Sequence, residues 1–134
     1  MIDNVLILRH FETQLNTEKR ICGRSLEEPV LIRPDIFCDV PVDIAFCSPA
    51  VRCVQTLDAL RWHTQIPTII YDAALVERDM GVMEGELRSD MIAAYPELFS
   101  DGKFRLFKMP PSGESFEAFY SRVRMVNCKM KLDT

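Results

Sequence analysis

The feature that most constrains this chain is a repeated pattern: short, unbroken apolar runs that stop in polar clusters, with helix-like stretches between them. Val5-Leu6-Ile7-Leu8 is continuous rather than alternating, as in a strand covered on both faces, and it ends at Arg9-His10-Phe11-Glu12-Thr13. Val42-Asp43-Ile44-Ala45-Phe46-Cys47 repeats the pattern and closes at Ser48-Pro49; Pro67-Thr68-Ile69-Ile70-Tyr71 is a third run, rich in β-branched residues. Between the second and third runs, residues 50–62 place Val51, Val54, Leu57 and Leu60 broadly on one side of a helix, with Ser48 as its cap and Pro49 in its first turn. Residues 88–99 have helical spacing at Met91, Ile92, Tyr95 and Leu98, interrupted by Pro96, and residues 115–130 align Phe116, Phe119, Tyr120, Val123 and Val126. Residues 14–35 read as loop, broken by Gly23, Pro29 and Pro34. Short buried strands separated by helices predict an α/β fold with a mostly parallel sheet flanked by helices.

At 134 residues the chain has room for one domain, over residues 1–134, and a chain of this size buries roughly two-thirds of its unfolded surface in one core. Sixteen basic against twenty acidic side chains give a net charge of −4. That balance supplies no basic field for a polynucleotide, so a nucleic-acid partner is not expected, although a local cationic pocket is compatible with it. The apolar runs are too short to span a bilayer and nothing resembles a signal peptide, so no membrane partner is expected. The five cysteines, Cys22, Cys38, Cys47, Cys53 and Cys128, are odd in number, scattered and free of C-x-x-C spacing. They suit a reduced, cytoplasmic setting, and neither histidine lies at zinc-ligand spacing from a cysteine pair.

Four polar clusters follow strands or open helices: residues 9–13, Ser48-Pro49-Ala50-Val51-Arg52, Glu77-Arg78-Asp79-Met80-Gly81 and Ser112-Gly113-Glu114-Ser115. In a parallel sheet the first three converge at the carboxyl ends of the strands, where ligands gather. Arg9, Arg52 and a helix amino end suit a phosphoryl group, because guanidinium forks and backbone N–H groups complement its oxygens. A neutral His10 beside that cradle can attack phosphorus, with Glu77 protonating the departing oxygen. Such a scheme demands no metal and no cofactor. Taken singly the clusters have plainer readings: a structural histidine, ordinary Ser-Pro capping, a solvated charge run over residues 77–79, and a helix entry at residues 113–115.

In conjunction and in order, the motifs R-H-F-E-T, S-P-A-V-R, E-R-D-M-G-V-M-E-G and S-G-E-S, spread over residues 9–115, resemble those of the histidine phosphatase (phosphoglycerate mutase-like) superfamily. The resemblance implies a phosphoglycerate mutase-like fold. Its phosphorylated nucleophile would be His10, its phosphate-binding arginines Arg9 and Arg52, and its acid–base carboxyl Glu77. It also places Asn16 and Gly23 where the family's first loop touches substrate, and gives Glu114-Ser115 a structural role beneath the last helix.

Three departures accompany the resemblance. Phe11 stands where the family has glycine, so its ring either crowds the pocket and strains the turn or packs into the core. Residues 31–38 leave space for about two helical turns at most where relatives place a full helix. The chain also stops at Thr134, at the last helix, ahead of the family's second catalytic histidine, and His63 lies at the end of its helix remote from the pocket. The expectation is thus a truncated member of the family, with re-paired or unpaired strands that favour homo-oligomers through an exposed sheet edge or apolar patch. The leading functional expectation is a phosphomonoester phosphatase acting through phosphohistidine on a small phosphorylated metabolite. The alternative is a catalytically weak relative that binds a phosphorylated ligand or a protein partner, and a third reading is a fragment without selected function.

Overall fold

The computed structural model describes residues 4–132. Its first regular element, α1 (Gln14–Thr17), lies inside the segment expected to be loop throughout. A reciprocal cap creates it: Asn16 N–H donates to Thr13 Oγ1 at 3.4 Å, and Thr13 N–H donates to Asn16 Oδ1 at 3.0 Å. Thr13, fully buried, also bridges to Val30, so the start and end of this segment are drawn together.

The expected central pair is present. β1 (Ile44–Cys47) runs parallel to β2 (Thr68–Tyr71), in register from Ile44 opposite Thr68 to Cys47 opposite Tyr71. α2 (Val51–His63) makes the crossover between them. Its start differs from the expected one. Ser48 Oγ accepts the Ala50 N–H at 3.2 Å and closes a tight turn, while Ala50 itself keeps an extended backbone at ψ 136°. Ser48 and Pro49 therefore precede the helix rather than capping and opening it.

After two short 3₁₀ turns comes α3 (Arg88–Ala94), which is shorter than the expected 88–99 helix. Pro96 has no N–H to continue the ladder and instead opens a 3₁₀ turn, Pro96–Leu98. A small hairpin follows, β3 (Phe99–Ser100) with β4 (Lys103–Phe104), turned by Asp101 and Gly102, both at positive φ as a two-residue hairpin turn requires. α4 (Phe116–Leu132) ends the described chain; Ser115 Oγ caps its first turn by accepting the Ala118 N–H at 3.1 Å.

Two separate apolar clusters take the place of the single core expected. One packs Cys47, Leu57 and Ile66 between the β1–β2 pair and α2. The other centres on fully buried Met83 with Ile21, Leu98 and Phe99, and gathers side chains from α3 and the hairpin. The first apolar run belongs to neither. Residues 5–8 form no strand, and Ile7 is 94% exposed. The continuous apolar character that predicts a doubly covered strand is real, but among the described residues no strand pairs with it, and it lies open to solvent. Over residues 31–38, where at most two turns were expected, the described chain has no helix.

Candidate active site

Arg9, His10, Asn16, Gly23, Arg52 and Glu77, the six residues singled out from the sequence, all line one cavity of about 450 Å³. Arg52 brings the first turn of α2 to it, and its other walls come from residues 20–23, Met80, Arg88, Phe99 and Phe104.

Arg52 is the best anchored of these residues. The second residue of α2, it is only 3% exposed; its guanidinium donates to the carbonyls of Ser25 and Gly23, the latter at 3.1 Å, while its Nε–H has no protein partner. Leaving a buried charged donor unmatched is costly, so a partner that reached this Nε–H would be favoured. Arg9 is exposed, and among the described residues nothing pairs with its guanidinium.

His10 is half-buried, and its Nδ1 lies 2.6 Å from the Phe11 carbonyl oxygen. A carbonyl can only accept, so Nδ1 carries the proton and, in the neutral ring, the lone pair resides on Nε2. The segment bearing His10 is fastened by its neighbours: Phe11 N–H donates to Thr56 Oγ1 of α2 at 2.9 Å, and Leu31 N–H donates to the Glu12 carbonyl at 2.9 Å. Phe11 has no positive φ, does not line the cavity and joins neither core cluster. Both expectations for its ring, crowding the pocket or packing into the core, give way to a half-buried residue that belongs to neither.

The helix amino end is less available than the sequence suggests. The Leu26 carbonyl accepts the Val51 N–H at 2.8 Å, so a loop already covers part of it. Asn16 is likewise committed to its cap: Oδ1 accepts from both the N–H and Oγ1 of Thr13, and Nδ2 reaches Cys22 Sγ at 3.2 Å. Desolvation pushes the Cys22 thiol above its ordinary pKa and keeps it protonated. Gly23 contributes its backbone. Its φ of +51° suits glycine, its carbonyl steers Arg52, and a Cβ there would land in the Glu84 carboxylate.

Glu77 is exposed; its Oε1 accepts the Arg78 N–H at 2.7 Å, and its carbonyl accepts from Arg122 at 3.0 Å. The neighbouring charges are not the solvated run that their sequence suggests. Arg78 is buried, with its guanidinium donating to the carbonyls of Glu114, Leu106 and Lys108 at 2.7–2.9 Å while lying over the Phe104 ring. Glu114 accepts two bonds from Arg122, at 2.8 and 2.9 Å, and one from Arg24 at 3.1 Å, and the Arg122 hydrogen bonds hold its carboxyl below the usual glutamate range. This network ties α4 to the loop carrying Glu77. His63 sits at the far end of α2, exposed, 3.4 Å from Asp35, and does not line the cavity.

Sequence reasoning missed Arg20, Ile21, Cys22, Met80, Arg88, Phe99 and Phe104 in the cavity wall. Arg20 and Arg88 are adjacent only through a backbone bridge between Arg20 and Leu87, a pairing without a local signal. Among the described residues no group of three or more His, Cys, Asp or Glu side chains could hold a metal ion, and no helix is long and apolar enough to cross a membrane.

The profile of the histidine phosphatase superfamily (branch 1) matches residues 34–132. Among curated proteins, fructose-2,6-bisphosphatase TIGAR of Bos taurus is 31% identical over 127 residues, covering 87% of this chain and 46% of that protein. A 6-phosphofructo-2-kinase/fructose-2,6-bisphosphatase of Caenorhabditis elegans is 30% identical over 133 residues, 92% of this chain and 28% of that one. The chain thus spans less than half the length of either. Among solved structures, TTHB049 from Thermus thermophilus superposes with a TM-score of 0.67 at 28% identity, over 89% of this chain and 66% of that chain. The α-ribazole phosphatase of Shigella flexneri superposes with a TM-score of 0.71 at 23% identity, over 92% and 65%, a likeness of fold.

Proposed function

The chain belongs to the histidine phosphatase superfamily, and on that footing we propose that it is a phosphomonoester phosphatase working through phosphohistidine on His10. The observation that carries this reading is a buried Arg52 with an unpaired Nε–H, in the cavity that also holds His10 with its Nε2 lone pair free. His10 Nε2 attacks phosphorus and the ester P–O bond breaks. Glu77 gives its proton to the departing oxygen, while Arg9 and Arg52 stabilise charge on the transferring group. Water then attacks the N–P bond, Glu77 takes its proton, and free phosphate and His10 are restored. Asn16 and Gly23 shape the first loop around this centre.

The substrate is a small phosphorylated metabolite; sugar phosphates and α-ribazole phosphate are the candidates, supported by the names of the relatives. A cytoplasmic setting is supported by the five free thiols. A second reading, binding without turnover, is favoured by one observation: His10 follows a run, residues 5–8, that forms no strand. Acid-labile phosphate trapped on the protein separates the two. We expect labelling and metal-independent hydrolysis of phenyl phosphate, both lost in His10→Ala; turnover that survives that substitution overturns the first reading. In either reading Arg52→Ala weakens phosphate binding by about tenfold or more, the loss of charge-assisted hydrogen bonds, measurable by calorimetry.

A further inference from the structure

We propose that Thr56 is a positioning residue: its hydroxyl fixes residue 11 against α2 and, through residue 11, holds the His10 imidazole in the tautomer that leaves Nε2 free to attack. The proposal rests on His10 being the nucleophile and concerns what holds that ring in place. Thr56 lies in α2 four residues after Arg52, is only 3% exposed and does not line the cavity, so it can act only through its neighbours.

Its hydroxyl has two partners. Oγ1 donates to the Arg52 carbonyl, one turn back in the helix, at 2.8 Å, and accepts the Phe11 N–H at 2.9 Å. A helical threonine readily bonds the carbonyl four residues back, and once its one proton is spent there its lone pairs remain for an incoming N–H. Phe11 carries the contact onward, because its own carbonyl accepts the His10 Nδ1–H at 2.6 Å. The backbone of Arg52 is thus linked to the imidazole through the Thr56 hydroxyl and both backbone polar groups of residue 11. Little else holds the ring. Residues 5–8 form no strand, and among the described residues His10 itself hydrogen-bonds only to Phe11. The next tie, Leu31 N–H to the Glu12 carbonyl, joins the segment to residues 31–38, which have neither helix nor strand. The Arg52 guanidinium, by contrast, is held separately by the carbonyls of Ser25 and Gly23. Loss of the Thr56 hydroxyl should therefore impair attack by His10 while sparing phosphate binding.

Thr56→Val keeps the side-chain shape and removes both hydrogen bonds, whereas Thr56→Ser keeps them. Nitrogen-15 NMR on the full chain reads the His10 tautomer, and deuterium exchange reads the Phe11 amide. Wild type and Thr56→Ser should show the proton on Nδ1 and a Phe11 amide at least about tenfold slower to exchange than those of residues 5–8. Thr56→Val should show a mixture of tautomers and a Phe11 amide as labile as residues 5–8. With phenyl phosphate, Thr56→Val should lower kcat by about tenfold to a hundredfold, with KM and the calorimetric Kd for inorganic phosphate within about twofold of wild type. Thr56→Ser should restore most of the rate, a rescue and a spectroscopic signature that a merely structural role would not give. A His10 tautomer and Phe11 protection that survive in Thr56→Val, or an unchanged kcat, overturn the proposal. Should Thr56→Val not fold, wild type decides: slow Phe11 exchange with the proton on Nδ1 supports the proposal, and a labile Phe11 amide or a proton on Nε2 overturns it. The NMR and exchange measurements need no turnover, so a chain inactive on phenyl phosphate loses the phosphatase reading while the hold of Thr56 on His10 is still judged.

Discussion

Gly23 and Gly85 make a matched pair of left-handed glycines with different surroundings. Each has positive φ, +51° and +79°, but a Cβ on Gly23 collides with the Glu84 carboxylate whereas one on Gly85 meets nothing within 4 Å. Gly85→Ala is expected to cost the backbone term alone, about 1–2 kcal/mol. Gly23→Ala should cost more, because Glu84 Oε1 is held by the N–H groups of Arg24 and Met80, at 2.8 and 3.1 Å, and cannot yield freely. Urea midpoints of the two variants check this. Only the Gly23 variant should also weaken phosphate binding, since the Gly23 carbonyl steers Arg52. At this scale the cavity lining is legible in the sequence where chemistry and motif coincide, at His10, Arg52 and Glu77. It is illegible where a residue acts through its backbone or through a distant bridge. Nothing in Glu77-Arg78-Asp79 announces that the middle residue is buried on three carbonyls, because its partners lie 28 to 36 positions away.

Among the elements, α4 is attached by fully buried Val126 and by a network centred on Arg122. The Arg122 guanidinium joins Glu114 to the carbonyls of Ala74, Val76 and Glu77, so the helix is locked to the loop that carries the candidate acid. Because Arg122 lowers the Glu114 pKa in the folded state, Glu114 contributes stability above its unfolded value, about 4.3, and that contribution is lost as pH falls through the lower folded value. Wild type should therefore exceed Glu114→Gln in stability near pH 7, with the gap narrowing below about pH 4; urea melts across that range measure it. The long helices α2 and α4 and the β1–β2 pair are readable from apolar periodicity. Their boundaries shift where a side chain competes for the first N–H groups, as Ser48 does, or where Pro96 stops the ladder of α3 early.

In the whole molecule, apolar surface is divided rather than pooled. Two separate clusters form, one of them sharing Ile21 and Phe99 with the cavity wall, and residues 5–8 stay outside both. The sequence shows that this run is apolar enough for a covered strand, but coverage depends on a partner that local pattern does not encode. Replacing Ile7, 94% exposed, by Lys should therefore leave the urea midpoint within about 0.5 kcal/mol of wild type, as for an ordinary surface site. Concentration-dependent self-association in light scattering should fall, since the variant breaks the exposed patch. A loss of several kcal/mol would instead mark Ile7 as buried.

His10 hangs from few fastenings: Phe11 on Thr56, Glu12 on Leu31, and Thr13 on Val30. Amides of residues 5–8, outside any strand, should exchange with solvent deuterium faster than those of β1 and α2. If such a tether lets His10 leave the cavity for part of the time, apparent ligand affinity is the intrinsic affinity scaled by the fraction of molecules in which it is in place. Anything that clamps residues 5–8, even a contact far from phosphate, would then act as an activator by raising the share of molecules in which the site is assembled.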